Sequence, residues 1–423
     1  VKSFSVSSIA ADPGEMHSLA QAAVSKNPQA LFTDFQWYLF KSQNTVYFTA
    51  YSETSYDKEG LITFVGNMVT LAPQLTHGFK GATPGAPLPR HLLEAITTIE
   101  EVDEFDAEPD RWFEPGQELF EPKDLPLFRV KAIVRRGGAD AQGRAAMILV
   151  RSSHALMEGS DSALLTRSLS SHHGVIPKTG KLPLRERLKF GLIASFTAPL
   201  HLLMANLRAP SKDTMGFRSL SFPRPRLRRI ANKLGVSQRA LMFGAVLYAV
   251  NDDGKGFAED KIKSYYTTLD SDRLDTDDEF FRVRTINTEF DVIKDLPEFL
   301  RHVEERIMEV EKTDTSKMQM VMNATFKAHR MLSKVFPFFY KERFFRYNGE
   351  AAVVLTLVPP HRMYGNLTRG LKEPVYCGSY HPGTNLCTFC PGRDYVTFNF
   401  SMRERHLPNA DKVLDILEAL DAE

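Results

Sequence analysis

The apolar positions follow two rhythms that alternate along the chain. Asn44–Glu53, NTVYFTAYSE, is rich in β-branched and aromatic residues and predicts a strand. Leu61, Phe64, Val65, Met68 and Leu71 recur at helical spacing, so Lys58–Leu75 predicts an amphipathic helix. A turn-rich stretch, GATPGAPLPR, follows at Gly81–Arg90. Leu127–Val134 and Ala145–Ser152 predict two strands around RRGGADAQGR. The second, AAMILVRS, is nearly continuous in apolar residues, the pattern of a strand buried on both faces. It runs straight into SHALMEGSDSALLTRSL, a turn followed by helical spacing.

Beyond a connector the alternation resumes. Helices are predicted over Ser237–Val250, Leu296–Glu311 and Ala410–Leu420. Strands are predicted over Ile262–Thr268, Arg282–Phe290, Ala351–Val358 and Tyr395–Ser401. The pattern gives two mixed α/β lobes of similar size, residues 1–180 and 216–423, joined by a connector over 181–215. The connector holds the most apolar window, Phe190–Asn206. At 1.5 Å per residue those residues reach roughly 25 Å, short of a roughly 30 Å hydrocarbon core. The window predicts a helix buried between lobes; flanking Lys189 and Arg208 support the other reading, a segment resting on a membrane surface. Met331–Tyr347, MLSKVFPFFYKERFFRY, mixes rings and cations and carries the same two readings. The basic run SFPRPRLRRIANKLGVS predicts a solvated helix face.

Composition narrows the function classes. The chain has 423 residues, 43% of them hydrophobic, enough to bury a sizeable core. Lys plus Arg (53) nearly cancels Asp plus Glu (52), which argues against a nucleic-acid partner. Three cysteines argue against a disulfide framework, and the first residues contain no long apolar run, so a cytoplasmic protein is expected, peripheral at a membrane if attached at all. No G-x-S-x-G, Walker A or G-x-G-x-x-G occurs.

The strand, turn and helix around Ile148–Leu165 hold the most informative chemistry. His154 follows the buried strand, where side chains project into a cleft, and an imidazole exchanges protons near neutral pH. Glu158 could hold the loop by an ion pair, and Gly159 allows a tight turn. Cys377, His381, Cys387 and Cys390 form C-x3-H-x5-C-x2-C, a set of zinc-type ligands; no metal is assigned, because only one C-x2-C is present and paired zinc knuckles usually carry other spacings.

SHALMEG, Ser153–Gly159, resembles the HHxxxDG signature of the CoA-dependent acyltransferase superfamily, and the wax ester synthase/diacylglycerol acyltransferase family is the most similar branch. FTDFQWYLFKSQNTVYFTAYSE, DLPLFRV, LKFGLIA, SDRLD, LTLVPPHRMYGNL, NLCTFCPGRDYVTFNFS and LPNADKVLDILEAL stand in the order of that family's segments. The first signature histidine is Ser153, the family's base is retained as His154, and the signature Asp is Glu158. Arg273, within SDRLD, is the suggested ionic partner of Glu158. The family's N-D pair falls at Arg239–Ala240, and its N-V-P-G-P segment at Leu357–Pro360.

The resemblance implies two chloramphenicol-acetyltransferase-like lobes with a tunnel between them. It implies acyl transfer from acyl-CoA, a co-substrate with no further cofactor, to a long-chain alcohol or diacylglycerol, forming wax ester or triacylglycerol. A membrane or lipid-droplet surface would supply such an acceptor. Two alternatives stay open: transfer to another alcohol or amine on the same fold, and a non-catalytic lipid-binding relative.

Overall fold

The computed structural model describes residues 34–71, 75, 87–105, 126–156, 184–207, 214–252, 260–269, 283–312, 316–340, 344, 352–358 and 371–422. The first lobe is built on α1 (Asp34–Lys41), β1 (Thr45–Ser52), α2 (Lys58–Leu71), α3 (Arg90–Ile96), β2 (Thr97–Val102), β3 (Phe128–Arg135) and β4 (Ala146–Ser153). A long helix, α4 (Leu184–Leu207), leads to the second lobe: β5 (Met215–Pro223), α5 (Arg224–Leu234), α6 (Gln238–Asn251), β6 (Lys261–Leu269), β7 (Val283–Asp291), α7 (Leu296–Glu311), α8 (Ser316–Val335) and β8 (Val353–Leu357). β9 (Leu371–Tyr380), β10 (Leu386–Pro391), β11 (Tyr395–Arg403) and α9 (Pro408–Ala422) complete the chain.

Local chemistry sets the helix ends. Asp57 Oδ1 accepts from the Gly60 amide at 2.7 Å at the start of α2. Ser237 and Asp295 cap α6 and α7 through the amides of Ala240 and Glu298. Gly235, at φ +70°, closes α5 in the left-handed conformation that favours glycine. The basic face of α5 is solvated as predicted, with Arg226 and Arg229 both paired to Asp421 and Leu227 and Ile230 turned to the core.

The strands form two sheets, β2-β3-β4-β1-β9 and β5-β11-β10-β8-β6-β7. Every residue of β1 is buried, as is all of β4 except Arg151, so the apolar run at 145–152 does lie between two layers. The second lobe packs α5, α6, α7 and α9 on its sheet through a core that includes Phe243, Phe299, Phe389 and Phe398, all fully buried. Truncating one such phenylalanine to Ala costs about 3–5 kcal/mol.

β9 joins the lobes. It follows β8 of the second sheet but pairs antiparallel with β1 of the first, Tyr47 opposite Gly378 and Thr45 opposite Tyr380. Phe48 and Ala50 of β1, Val375 and Cys377 of β9 and Cys390 of β10 share one buried cluster. Thr397 of β11 donates to the Val375 carbonyl of β9 at 2.8 Å. Glu373 accepts backbone bonds from Arg393, Asp394 and Tyr395, fastening β9 to the turn between β10 and β11.

The apolar connector differs from its sequence reading in two ways. The helix runs 24 residues, roughly 36 Å, because Leu184–Lys189 extend it at the N-terminal side despite their charges. Leu188–Leu207 is thus long and apolar enough to cross a membrane, and among the described residues it alone is so. It is not enclosed between lobes: Leu192, Phe196 and Leu200 are exposed. Pro199 is accommodated inside the helix.

Candidate active site

The end of β4 and the start of β1 are register partners, Ser153 opposite Thr45. One step further out, the His154 amide donates to the Asn44 carbonyl at 2.8 Å. Asn44 reaches this position because Gln43 takes a left-handed backbone, φ +58°, which turns the chain sharply from α1 into β1. Ser153 is fully buried; its Oγ accepts from the Ala155 amide and its carbonyl from the Leu156 amide. The residue at the first signature position therefore shapes the turn that carries His154. The His154 side chain is half-buried with Nδ1 enclosed.

A second histidine meets it from the other lobe's chain. His381 begins the turn between β9 and β10, and its ring stands edge to face with His154, centroids 5.4 Å apart and planes at 81°. Asn44 Nδ2 donates to His381 Nδ1 at 3.1 Å, which puts the His381 ring proton on Nε2. Burial, reinforced by the nearby His154, pushes the His381 imidazole down to about 3, so it is neutral at physiological pH. The turn is rigidly held. The Thr384 amide donates to the His381 carbonyl, Arg403 Nη2 to the Gly383 carbonyl, and Asn385 bonds both the Arg403 amide and the Ala352 carbonyl. Two imidazoles and one carboxamide thus converge where the two sheets meet. The pair can accept a proton at His154 and position the ring through His381.

Of the residues singled out from sequence, Ser153 and His154 occupy this site. Glu158, Gly159 and Arg273 lie outside the described residues, as does Pro359–Pro360 beyond β8. Arg239, at the place of the family's N-D pair, makes a two-pronged ion pair with Glu311 of α7, at 2.5 and 2.9 Å, and ties α6 to α7. Sequence reasoning missed the role of Asn44 and read His381 only as a zinc-type ligand. The cysteines do not join it. Cys387 packs in the second lobe's core while Cys377 and Cys390 lie in the seam cluster, and burial pushes the Cys387 and Cys390 thiols well up. Among the described residues no group of three or more His, Cys, Asp or Glu side chains could hold a metal ion.

No protein-family model matches the chain, and no curated relative does. Solved structures match along nearly its whole length. The trichothecene 15-O-acetyltransferase TRI3 from Fusarium sporotrichioides superposes with a TM-score of 0.57 at 11% identity, covering 92% of this chain and 95% of that one. Polyketide synthase associated protein 5 from Mycobacterium tuberculosis gives 0.52 at 9% identity, covering 94% and 97%. The wax ester synthase/diacylglycerol acyltransferase from Marinobacter aquaeolei VT8 matches at 15% identity with a TM-score of 0.49, over 90% and 92%. The mixed α/β architecture of this chain is the two-lobed fold of the CoA-dependent acyltransferases and condensation domains.

Proposed function

We propose that the protein is an O-acyltransferase that moves a fatty acyl group from acyl-CoA to a long-chain alcohol or diacylglycerol, with His154 as general base. The observation that carries this reading is the position of His154 at the junction of two sheets, with its ring against the Asn44-held ring of His381. His154 Nε2 takes the proton of the acceptor hydroxyl as its oxygen attacks the thioester carbonyl carbon. The carbonyl oxygen becomes an oxyanion in the tetrahedral intermediate. The C–S bond then breaks, the His154 proton passes to the CoA sulfur, and ester and free CoA leave. No acyl-enzyme forms. A positioned base supplies roughly 10²–10⁴-fold, and holding donor and acceptor together supplies a comparable or larger share. In this scheme His381 stays neutral and limits rotation of the base.

A second reading, transfer to another hydroxylated acceptor, is favoured by the superposition on a trichothecene 15-O-acetyltransferase. One experiment separates the two. Labelled palmitoyl-CoA and acetyl-CoA are each offered with long-chain alcohols, diacylglycerol and polycyclic alcohols. Ester formed from palmitoyl-CoA and a lipid acceptor, reduced about 10²–10⁴-fold by His154→Ala, supports the proposal. Ester formed on polycyclic alcohols alone selects the second reading. A His154→Ala variant as fast as the parent overturns the base assignment.

A further inference from the structure

The helix pair α4 and α8 carries a surface that the acyl-transfer reading does not use. The two helices run parallel, joined by Thr197 with Thr325 and by His201 with His329. α4 is apolar on two opposite faces. Phe190, Ala194, Ala198 and Ala205 are buried inward. Leu188, Leu192, Phe196, Leu200, Leu203 and Leu207 recur every three or four residues on the outward side and are 55–73% exposed. Met331 and Val335 of α8 are exposed as well, and so are Phe336 and Phe338 in the turn that follows it. Asn206 Nδ2 donates to the Phe339 carbonyl, which holds that turn against the end of α4 and so brings the two apolar sets to one end of the helix pair. Soluble monomers seldom expose so large an apolar surface without an occupant.

The charges around it select the occupant. The sequences of α4 and α8 hold seven Lys or Arg and a single acid, Glu186, in a chain whose charges balance as a whole, 53 to 52. Lys189 is exposed at the N-terminal end of the α4 stripe; Lys327 and Lys334 are exposed within one turn of Met331 on α8. We infer that this face docks on the surface of an anionic lipid leaflet, rings and leucines in the acyl boundary and lysines among the headgroups. The inward side of α4 is committed to α8 through Thr197 and His201, so the helix offers lipid one side only and lies in the plane of the leaflet. A second copy of the chain is a poorer occupant, because a two-fold contact would bring two cationic faces together.

The inference stands whether or not the chain transfers acyl groups, and flotation tests it. The full chain is mixed with vesicles of phosphatidylcholine alone, or with 30 mol% phosphatidylglycerol, a composition of roughly the anionic content that polybasic surfaces recognise. Flotation with the anionic vesicles, at least tenfold above the neutral ones and falling severalfold on raising salt, is expected. Phe196→Asp with Leu200→Asp abolishes it, and Lys189→Glu with Lys327→Glu lowers it at least fivefold; both pairs alter exposed positions and leave the thermal midpoint near that of the parent. Absence of flotation overturns the inference. So does a dimer in sedimentation that Phe196→Asp converts to monomer, which assigns the face to a second copy. Equal binding to neutral vesicles, unaffected by salt, also overturns it by removing the headgroup contribution.

Discussion

Asn44 and His381, 337 residues apart in sequence, are joined by a 3.1 Å hydrogen bond between the carboxamide nitrogen and Nδ1 of the ring. The Asn44 carbonyl accepts from the His154 amide. One residue therefore touches both imidazoles, one through its side chain and the other through its backbone. Asn44→Ala removes only the side-chain contact. The expected outcome is a roughly tenfold fall in kcat with little change in KM, and a loss of about 1 kcal/mol of stability. Steady-state kinetics on the acceptor identified by the panel check it, with denaturant unfolding alongside. Asn44→Asp should lift the His381 pKa, seen as a new titration in the histidine ring signals.

A second histidine chain predicts how stability responds to acid. His201 Nδ1 lies 3.1 Å from His329 Nε2, and His329 Nδ1 lies 2.9 Å from the Tyr340 hydroxyl, all against Phe344. Desolvation, with a smaller contribution from His201, pushes His329 down to about 3, and burial also lowers His201. The folded state therefore refuses a proton that the unfolded chain accepts near pH 6.5. Stability is complete above pH 6.5 and falls as pH drops toward 3, by about 2 kcal/mol between pH 6.5 and 5 for one such group. Thermal melts across pH 5–8 should show a shallower acid slope for His329→Leu than for the parent. Equal slopes would refute the assignment.

Arg239 and Glu311 form a half-buried, two-pronged ion pair that fixes α6 to α7. Removing one partner by Arg239→Ala should cost about 1–2 kcal/mol in urea unfolding, more than a surface pair and less than a fully buried one. Activity per folded molecule should not change. A large drop in kcat without loss of stability would instead give Arg239 a part in catalysis.

Gly378 faces Tyr47 so closely that an added Cβ would overlap the phenol ring. Tyr47, on β1, is itself buried, with its ring edge to face against Phe217 of the second lobe. Gly378→Ala should push the ring aside and destabilise the seam by about 1–3 kcal/mol. The double variant Gly378→Ala with Tyr47→Leu should recover part of that loss, which a double-mutant cycle in urea measures.

Elements with one clear period were legible in sequence. α7 spans the predicted Leu296–Glu311, and β1, β3 and β4 lie within a residue or so of their predicted bounds. β9 was not, because Lys372, Glu373 and Pro374 break its apolar run and its partner strand is more than 300 residues away. β5 was not legible either: only its last three residues enter the basic, proline-bearing run, and its strand character depends on pairing with β11. His154 was legible through SHALMEG. Asn44 and His381 were not, since what makes them a pair is the β1–β9 register, and spacing along the chain grouped His381 with cysteines that the pleat of β10 sends to opposite sides.

The late arrival of β9 constrains how the protein is born. During synthesis the first sheet remains one strand short until residue 380 has left the ribosome, and the naked edge it presents meanwhile is β1, a strand buried on both faces in the folded protein. The nascent chain must shield that edge through most of translation, so chaperone dependence should be strongest for ribosome-bound chains ending before residue 371 and drop once the strand is supplied. Arrested chains of graded length, probed for chaperone capture, would show that step or its absence.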